Sequence, residues 1–188
     1  MKDHIWVFGF DNTLVNTEDI IVRLTAEVLD IPLTEEFWYA NLHSVPSVED
    51  EMRILQESFG VEYTPELQQQ TGAKFVGELA GTEPNRAVYA MLKEHLGQSW
   101  LLTGSPKEIC DLYLSAWDVA VPEGRMRCGV YNASGDKERI LAELQQDHDV
   151  TYVDDDADLV RAAGSIVSEV LLVRQPYNED AWGELETI

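Results

Sequence analysis

Residues 5–18, with the sequence IWVFGFDNTLVNTE, constrain the fold of this 188-residue chain more than any other stretch. An apolar run ends at Phe8, and the polar loop that follows it carries Asp11. A short apolar run bounded by a loop is typical of a buried strand, and open α/β sheets present functional groups at the carboxyl ends of such strands. We therefore predict a buried first strand, with Asp11 at the functional edge of a sheet.

The next part of the chain, residues 16–80, is predicted to be entirely helical. Three of its helices begin with a capping residue that is followed within two residues by an acidic one, at Thr34, Ser47 and Thr64. The predicted helices of this block cover residues 17–28, 34–42, 47–59 and 64–79. Their short connections favour an antiparallel bundle, so we expect a helical domain inserted after the first strand.

From residue 81 onward, helical and strand patterns alternate. The predicted strands are 99–102, 126–130, 150–153 and 170–173, and the predicted helices are 83–95, 106–117, 136–146 and 159–163. Alternating strands and helices indicate a parallel sheet that is covered on both faces. The predicted fold class is therefore α/β, a Rossmann-like parallel sheet built from residues 1–15 and 81–188, with residues 16–80 inserted over its functional edge.

Polar residues follow the strands or begin the helices in a fixed order: Asp11, Thr103, Lys137, then Asp154 and Asp158. Together with the sequence FDNTLV at residues 10–15, this order resembles the four motifs of the haloacid dehalogenase (HAD) superfamily, in its phosphatase branch. The resemblance covers residues 5–173. It implies a HAD-like core with a helical type-one cap, and Mg²⁺-dependent hydrolysis of a small phosphomonoester as the parent activity.

The roles that this resemblance implies agree with the chemistry of phosphoryl transfer, which needs charge stabilisation around the phosphate oxygens. Thr103 and Lys137 would contact two of these oxygens. The backbone N–H groups of Asn12 and Gly104 would bind the others. Asp11 would act as the general acid and base.

The resemblance also implies a Mg²⁺ site at the same edge of the sheet. Its ligands would be Asp154 and the main-chain carbonyl of Asp11, because hard cations prefer oxygen ligands. Asp158 would join the metal site by binding a metal-bound water, or would hold Lys137. An EF-hand calcium loop in this acidic stretch is excluded, since Leu159 and Ser165 occupy the positions where such a loop needs Gly and Glu.

Gly9 departs from the motif at the position that matters most for the chemistry. The superfamily has there the nucleophilic Asp that forms an aspartyl-phosphate, so this chain is expected to be nearly inactive as a hydrolase. Two interpretations remain open: a hydrolase that lost its nucleophile by substitution, and a non-catalytic protein that binds a phosphorylated ligand or partner. The use of Asp11 as nucleophile is a less favoured third. An Asp at position 9 is expected to restore hydrolysis.

The formal net charge of −22 narrows the range of partners. The acidic residues are spread along the chain and repel nucleic-acid polymers and anionic membranes. The two cysteines, Cys110 and Cys128, lack the spacing of a zinc site and indicate buried thiols in a reducing compartment, which we expect to be the cytoplasm. The expected ligand is a small phosphorylated metabolite, with nucleotides among the candidates.

Overall fold

The computed structural model describes residues 2–43, 45, 48–62, 64–79, 81–130 and 135–188. The strands in these ranges are β1 (Asp3–Phe8), β2 (Ser99–Leu102), β3 (Met126–Arg127), β4 (His148–Asp154) and β5 (Glu169–Leu172). They form one sheet in the order β3-β2-β1-β4-β5, and all neighbouring strands are parallel. The predicted α/β fold with a parallel sheet is therefore confirmed.

The described residues also form helices, most of which lie between β1 and β2 in the chain. They are α1 (Glu18–Leu29), α2 (Glu35–Asn41), α3 (Val48–Phe59), α4 (Pro65–Leu79), α5 (Arg86–Glu94), α6 (Lys107–Ala116), α7 (Asp136–Asp147) and α8 (Ala157–Ala163). Short 3₁₀ helices add Leu96–Gln98, Glu123–Arg125 and Pro176–Ala181. None of the helices in the described part of the chain combines the length and the apolar character that crossing a bilayer requires.

β3 and β4 differ in length from their predictions. β3 contains only Met126 and Arg127, because the chain turns at Gly129, whose φ of 72° lies in the left-handed region. β4 begins at His148 and continues through Asp154, so that this carboxylate belongs to the strand rather than to the following loop.

The chain divides into two compact units, Met1–Asn16 with Glu83–Ile188, and Thr17–Thr82. The second unit contains α1 to α4, with Trp38 and Leu55 in its core. The predicted cap of α2 is present, since Thr34 Oγ1 accepts a hydrogen bond from the N–H of Phe37 at 3.2 Å. The predicted helix start at Ser47 and the predicted end of this block at residue 80 lie outside the described residues.

The sheet unit has its core around β1, the central strand. Val7 and Phe8 are completely buried, as expected for a strand whose two faces are both covered by other parts of the protein. Beyond β5 the chain returns to the sheet, and Thr187 forms a parallel bridge with Leu172. Sequence analysis did not predict this last pairing.

Candidate active site at the carboxyl edge of the sheet

The strand order places β1 between β2 and β4, so the loops that follow these strands are neighbours at the carboxyl edge of the sheet. The loop after β1 carries Asp11, the loop after β2 carries Thr103, and β4 ends at Asp154. Residues that are far apart in sequence therefore share one edge because parallel strands end on the same side of a sheet.

Asp11 is held by two hydroxyl groups of the loop after β2. Its Oδ2 atom accepts hydrogen bonds from Thr103 Oγ1 at 3.3 Å and from Ser105 Oγ at 2.7 Å. The N–H of Ser105 donates to Thr103 Oγ1 at 3.0 Å, which fixes the turn around Gly104. Ser105 was not among the predicted site residues, although a Thr or Ser whose hydroxyl bonds to the backbone two residues on is a known signal of such turns.

The loop that carries Asp11 is closed by its own backbone. Asn12 adopts a left-handed conformation with φ of 54°, and its N–H donates to the carbonyl of Val15 at 2.6 Å. A contact of this N–H with a phosphate stays a prediction. Gln175 Nε2 donates to the carbonyl of Asn12 at 2.5 Å, which ties the loop to the segment after β5. No local sequence pattern identified Gln175, because its partner is 163 residues away.

Lys137, at the start of α7, forms a buried ion pair with Asp154. The two side chains are 9% and 4% exposed, and Lys137 Nζ lies 3.3 Å from Asp154 Oδ2. Tyr152 OH donates to the same oxygen at 2.5 Å, because side chains two positions apart share one face of β4. Burial and the negative charge of Asp154 raise the pKa of Tyr152, so this hydroxyl remains a donor.

Gly9 lies directly beside this ion pair. A Cβ atom built on Gly9 would be 2.5 Å from Asp154 Oδ2 and 2.7 Å from Thr13 Oγ1. The strand holds Gly9 in this place, since its N–H donates to the carbonyl of Val153 at 2.8 Å. Any side chain at position 9 must displace one of the two neighbouring oxygens.

Asp155 is a second buried carboxylate, and sequence analysis did not assign it to the site. Thr13 Oγ1 donates to Asp155 Oδ1 at 2.6 Å, and Tyr177 OH donates to Asp155 Oδ2. Burial and the neighbouring charge of Asp154 raise the pKa of Asp155 to about 7. Two adjacent buried carboxylates, Asp154 and Asp155, therefore lie in the site together with Lys137, and any anionic ligand must overcome the repulsion of these carboxylates.

Asp158 is not part of this buried cluster. Its side chain is 94% exposed and pairs with Arg161 at 2.7 Å, within α8. The start of the helix is instead capped by Asp156, whose Oδ1 accepts from the N–H groups of Asp158 and Leu159 at 3.0 and 3.1 Å. A role of Asp158 in metal binding stays a prediction.

The side chains present can supply only part of a Mg²⁺ site. Among the residues that the structure describes, no three His, Cys, Asp or Glu side chains converge in a way that could hold a metal ion. Mg²⁺ in proteins is commonly bound by one or two carboxylates, with water and ligand phosphate completing its shell. Binding of Mg²⁺ by Asp11 and Asp154 stays a prediction.

The chain has a parallel Rossmann-like sheet with these residues at its carboxyl edge. No protein-family model matches the chain, and no curated protein matches it in sequence. Solved structures do match it. CbbY from Rhodobacter sphaeroides, as a mutant in complex with xylulose-(1,5)bisphosphate, has a TM-score of 0.76 and 15% identity over 100% of this chain and 94% of that protein.

Two further structures have the same architecture. A HAD family hydrolase from Deinococcus radiodurans with bound phosphate and sodium has a TM-score of 0.63 and 15% identity over 93% of this chain and 82% of its own. YfnB from Bacillus subtilis bound to magnesium has a TM-score of 0.63 and 13% identity over 100% and 95%, respectively. The chain thus has the HAD-like fold, and the fold that the sequence motifs predicted is confirmed.

Proposed function

We propose that this chain is a HAD-like protein that binds a small phosphorylated metabolite and does not hydrolyse it through residue 9. The parent activity of the scaffold would be Mg²⁺-dependent hydrolysis of a phosphomonoester by way of an aspartyl-phosphate at that position. The main observation that supports this proposal is the packing around Gly9, where Asp154 Oδ2 and Thr13 Oγ1 fill the space that a nucleophilic side chain would need.

The retained polar groups support binding of a phosphate. Lys137 is the buried cation of the site, and its ammonium group has three donors, of which one is directed at Asp154. The hydroxyl groups of Thr103 and Ser105 lie together in one turn and can both donate to an oxyanion in place of Asp11. A ligand with several acceptor oxygens fits this set of donors, and the neighbours bound to phosphate and to a phosphorylated sugar agree with that class.

We include Mg²⁺ in the proposal because the negative charge of the buried carboxylates would otherwise repel a phosphate dianion from this site. Asp11 and Asp154 would hold the ion together with an oxygen of the ligand. The bound metal would supply the positive charge that offsets the carboxylates. Phosphate and Mg²⁺ should then strengthen each other's binding, by about tenfold on the usual scale of such coupling.

The binding test is titration calorimetry of the full chain with inorganic phosphate, with and without MgCl₂. Thr103→Val removes one hydroxyl at nearly constant volume and should weaken phosphate binding about threefold to tenfold. Thr71→Val is the matched control, because that hydroxyl donates only to the carbonyl of Leu67 in a helix of the other unit. Equal phosphate affinity of both variants, or no phosphate binding with Mg²⁺, contradicts the proposed site.

The turnover test is phosphate release from a panel of sugar phosphates and nucleotides with Mg²⁺ present. The unmodified chain should release almost none. Gly9→Asp should release phosphate several orders of magnitude faster once its side chain has displaced Asp154 Oδ2 or Thr13 Oγ1, on the scale seen when nucleophiles are removed from other enzymes. Adding Asp11→Asn to that variant should abolish most of the gain, since protonation of the leaving group then fails. Ordinary turnover by the unmodified chain would overturn the proposal.

A further inference from the structure

The only two cysteines of the chain lie against each other in the fold. Cys110 is the fourth residue of α6 and is fully buried, whereas Cys128 follows β3 and is partly exposed. Both are free thiols, and their sulfur atoms are 3.9 Å apart. A disulfide needs a sulfur–sulfur distance of about 2.05 Å, so a relative movement of about 2 Å would allow the bond to form.

The segment around Cys128 is bonded to the loop that holds Asp11. The N–H of Thr103 donates to the carbonyl of Arg127 at 3.0 Å, and the N–H of Val130 donates to the carbonyl of Thr103 at 2.9 Å. The N–H of Gly129 donates to the carbonyl of Ser105 at 3.0 Å. Any displacement of residues 127–130 is therefore passed directly to the loop of residues 103–105.

We infer that Cys110 and Cys128 form a disulfide when the chain meets a low-molecular-weight disulfide, and that this bond displaces the 103–105 loop. The two protein thiols lose two protons and two electrons, and the small disulfide is reduced to two thiols. This site is independent of the proposed phosphate binding, because it requires only the two thiols and the loop.

The structure indicates the order of the steps and the part that moves. Cys128 is the more accessible sulfur and would first form a mixed disulfide with the oxidant, releasing one small thiol. Cys110 would then displace the second small thiol and close the protein disulfide. The Cys128 side should supply most of the movement, since β3 is an edge strand of two residues whereas Cys110 is fixed in a buried helix turn.

Burial should keep this reaction slow. It raises the pKa of both thiols, and for Cys110 the neighbouring Cys128 raises it further. The thiolate is the reactive form, so the pair should stay reduced in the reducing cytoplasm that we propose for this protein and close only under sustained oxidation.

The test uses the intact chain incubated with oxidised or reduced glutathione. After oxidation, the expected mass is lower by two hydrogens and neither thiol can be alkylated. Cys128→Ser is the control, and it should gain at most one glutathione and form no internal bond. A chain that keeps two alkylatable thiols under conditions that oxidise free cysteine would overturn the inference.

The effect on the loop is measured by hydrogen exchange of peptides that contain residues 103–105, in the oxidised and reduced chain. The oxidised form should exchange at least several-fold faster there, because the hydrogen bonds to residues 127–130 are strained. Peptides from α4, in the other unit, serve as the internal control. A disulfide that forms without any change in the 103–105 peptides would refute the coupling, and neither result depends on phosphate binding.

Discussion

Gly9→Ala is the most direct test of the packing at the site, because it adds one carbon atom and no charge. The added Cβ would lie 2.5 Å from Asp154 Oδ2 and 2.7 Å from Thr13 Oγ1. An ordinary contact between such atoms is roughly 3.5 Å, so one or both oxygens must retreat by about 1 Å. Asp154 Oδ2 cannot move without weakening its bonds to Lys137 and Tyr152.

Two opposing contributions set the change in the free energy of unfolding that Gly9→Ala should cause. Forcing an extra carbon into a packed interior costs about 1–3 kcal/mol. Replacing glycine by alanine reduces the entropy of the unfolded chain, which offsets about 0.5–1 kcal/mol of this cost. We therefore expect Gly9→Ala to lower the free energy of unfolding by about 0.5–2 kcal/mol.

Urea denaturation at pH 7 measures this change, and an unaltered slope of the transition would show that the unfolded states are comparable. Gly97→Ala is the matched control, because a Cβ built on that exposed glycine has no atom within 4 Å. Its effect should be within about 0.5 kcal/mol. If Gly9→Ala is as stable as the unmodified chain, position 9 has room for a side chain and the argument from its packing is refuted.

Three further changes test other parts of the structure. Tyr152→Phe removes a buried donor to Asp154 and should lower the free energy of unfolding by about 1–3 kcal/mol, measured by the same denaturation. The pKa of Asp155 is about 7 in the folded protein and about 3.9 in the unfolded chain, so the folded state binds more protons and the free energy of unfolding should fall as pH rises from about 4 to 7. Asp155→Asn should reduce this pH dependence, measured by urea denaturation at a series of pH values. An unchanged pH dependence would exclude Asp155 as its source. Thr34→Ala removes the cap of α2 and should cost about 1 kcal/mol, whereas Thr34→Ser should restore most of it; equal stability of the two would contradict the role of the cap.

Local sequence patterns predicted the sheet and the loops that carry Asp11 and Thr103, because the relevant signals lie within a few neighbouring positions. The apolar run before Gly9 predicted β1, and the strand ending near Leu102 predicted the position of the Thr103 loop. The parallel sheet then required Asp11 and Thr103 to share an edge, and the hydrogen bond between them is present at 3.3 Å. A short continuous apolar run and the polar residue that follows it were the basis of these predictions.

The environment of the site depends on contacts between distant parts of the chain, which local patterns do not encode. Thr13 and Asp155 are hydrogen-bonded across 142 residues, and the bond of Gln175 to Asn12 crosses 163. Such pairs exist only after the parallel strands have paired. The same applies to the two cysteines, whose sulfur contact joins α6 to the segment that follows the edge strand β3.

Gly9 shows most clearly the difference between what local sequence patterns predict and what contacts between distant residues add. The amino-acid sequence is enough to show that position 9 carries no carboxylate. The groups that occupy the space beside it follow from folding, because the side chains of Asp154 and Thr13 come from different strand ends and meet at Gly9. Protein interiors are close-packed, so the volume that a side chain at position 9 would take is occupied by atoms of neighbouring residues.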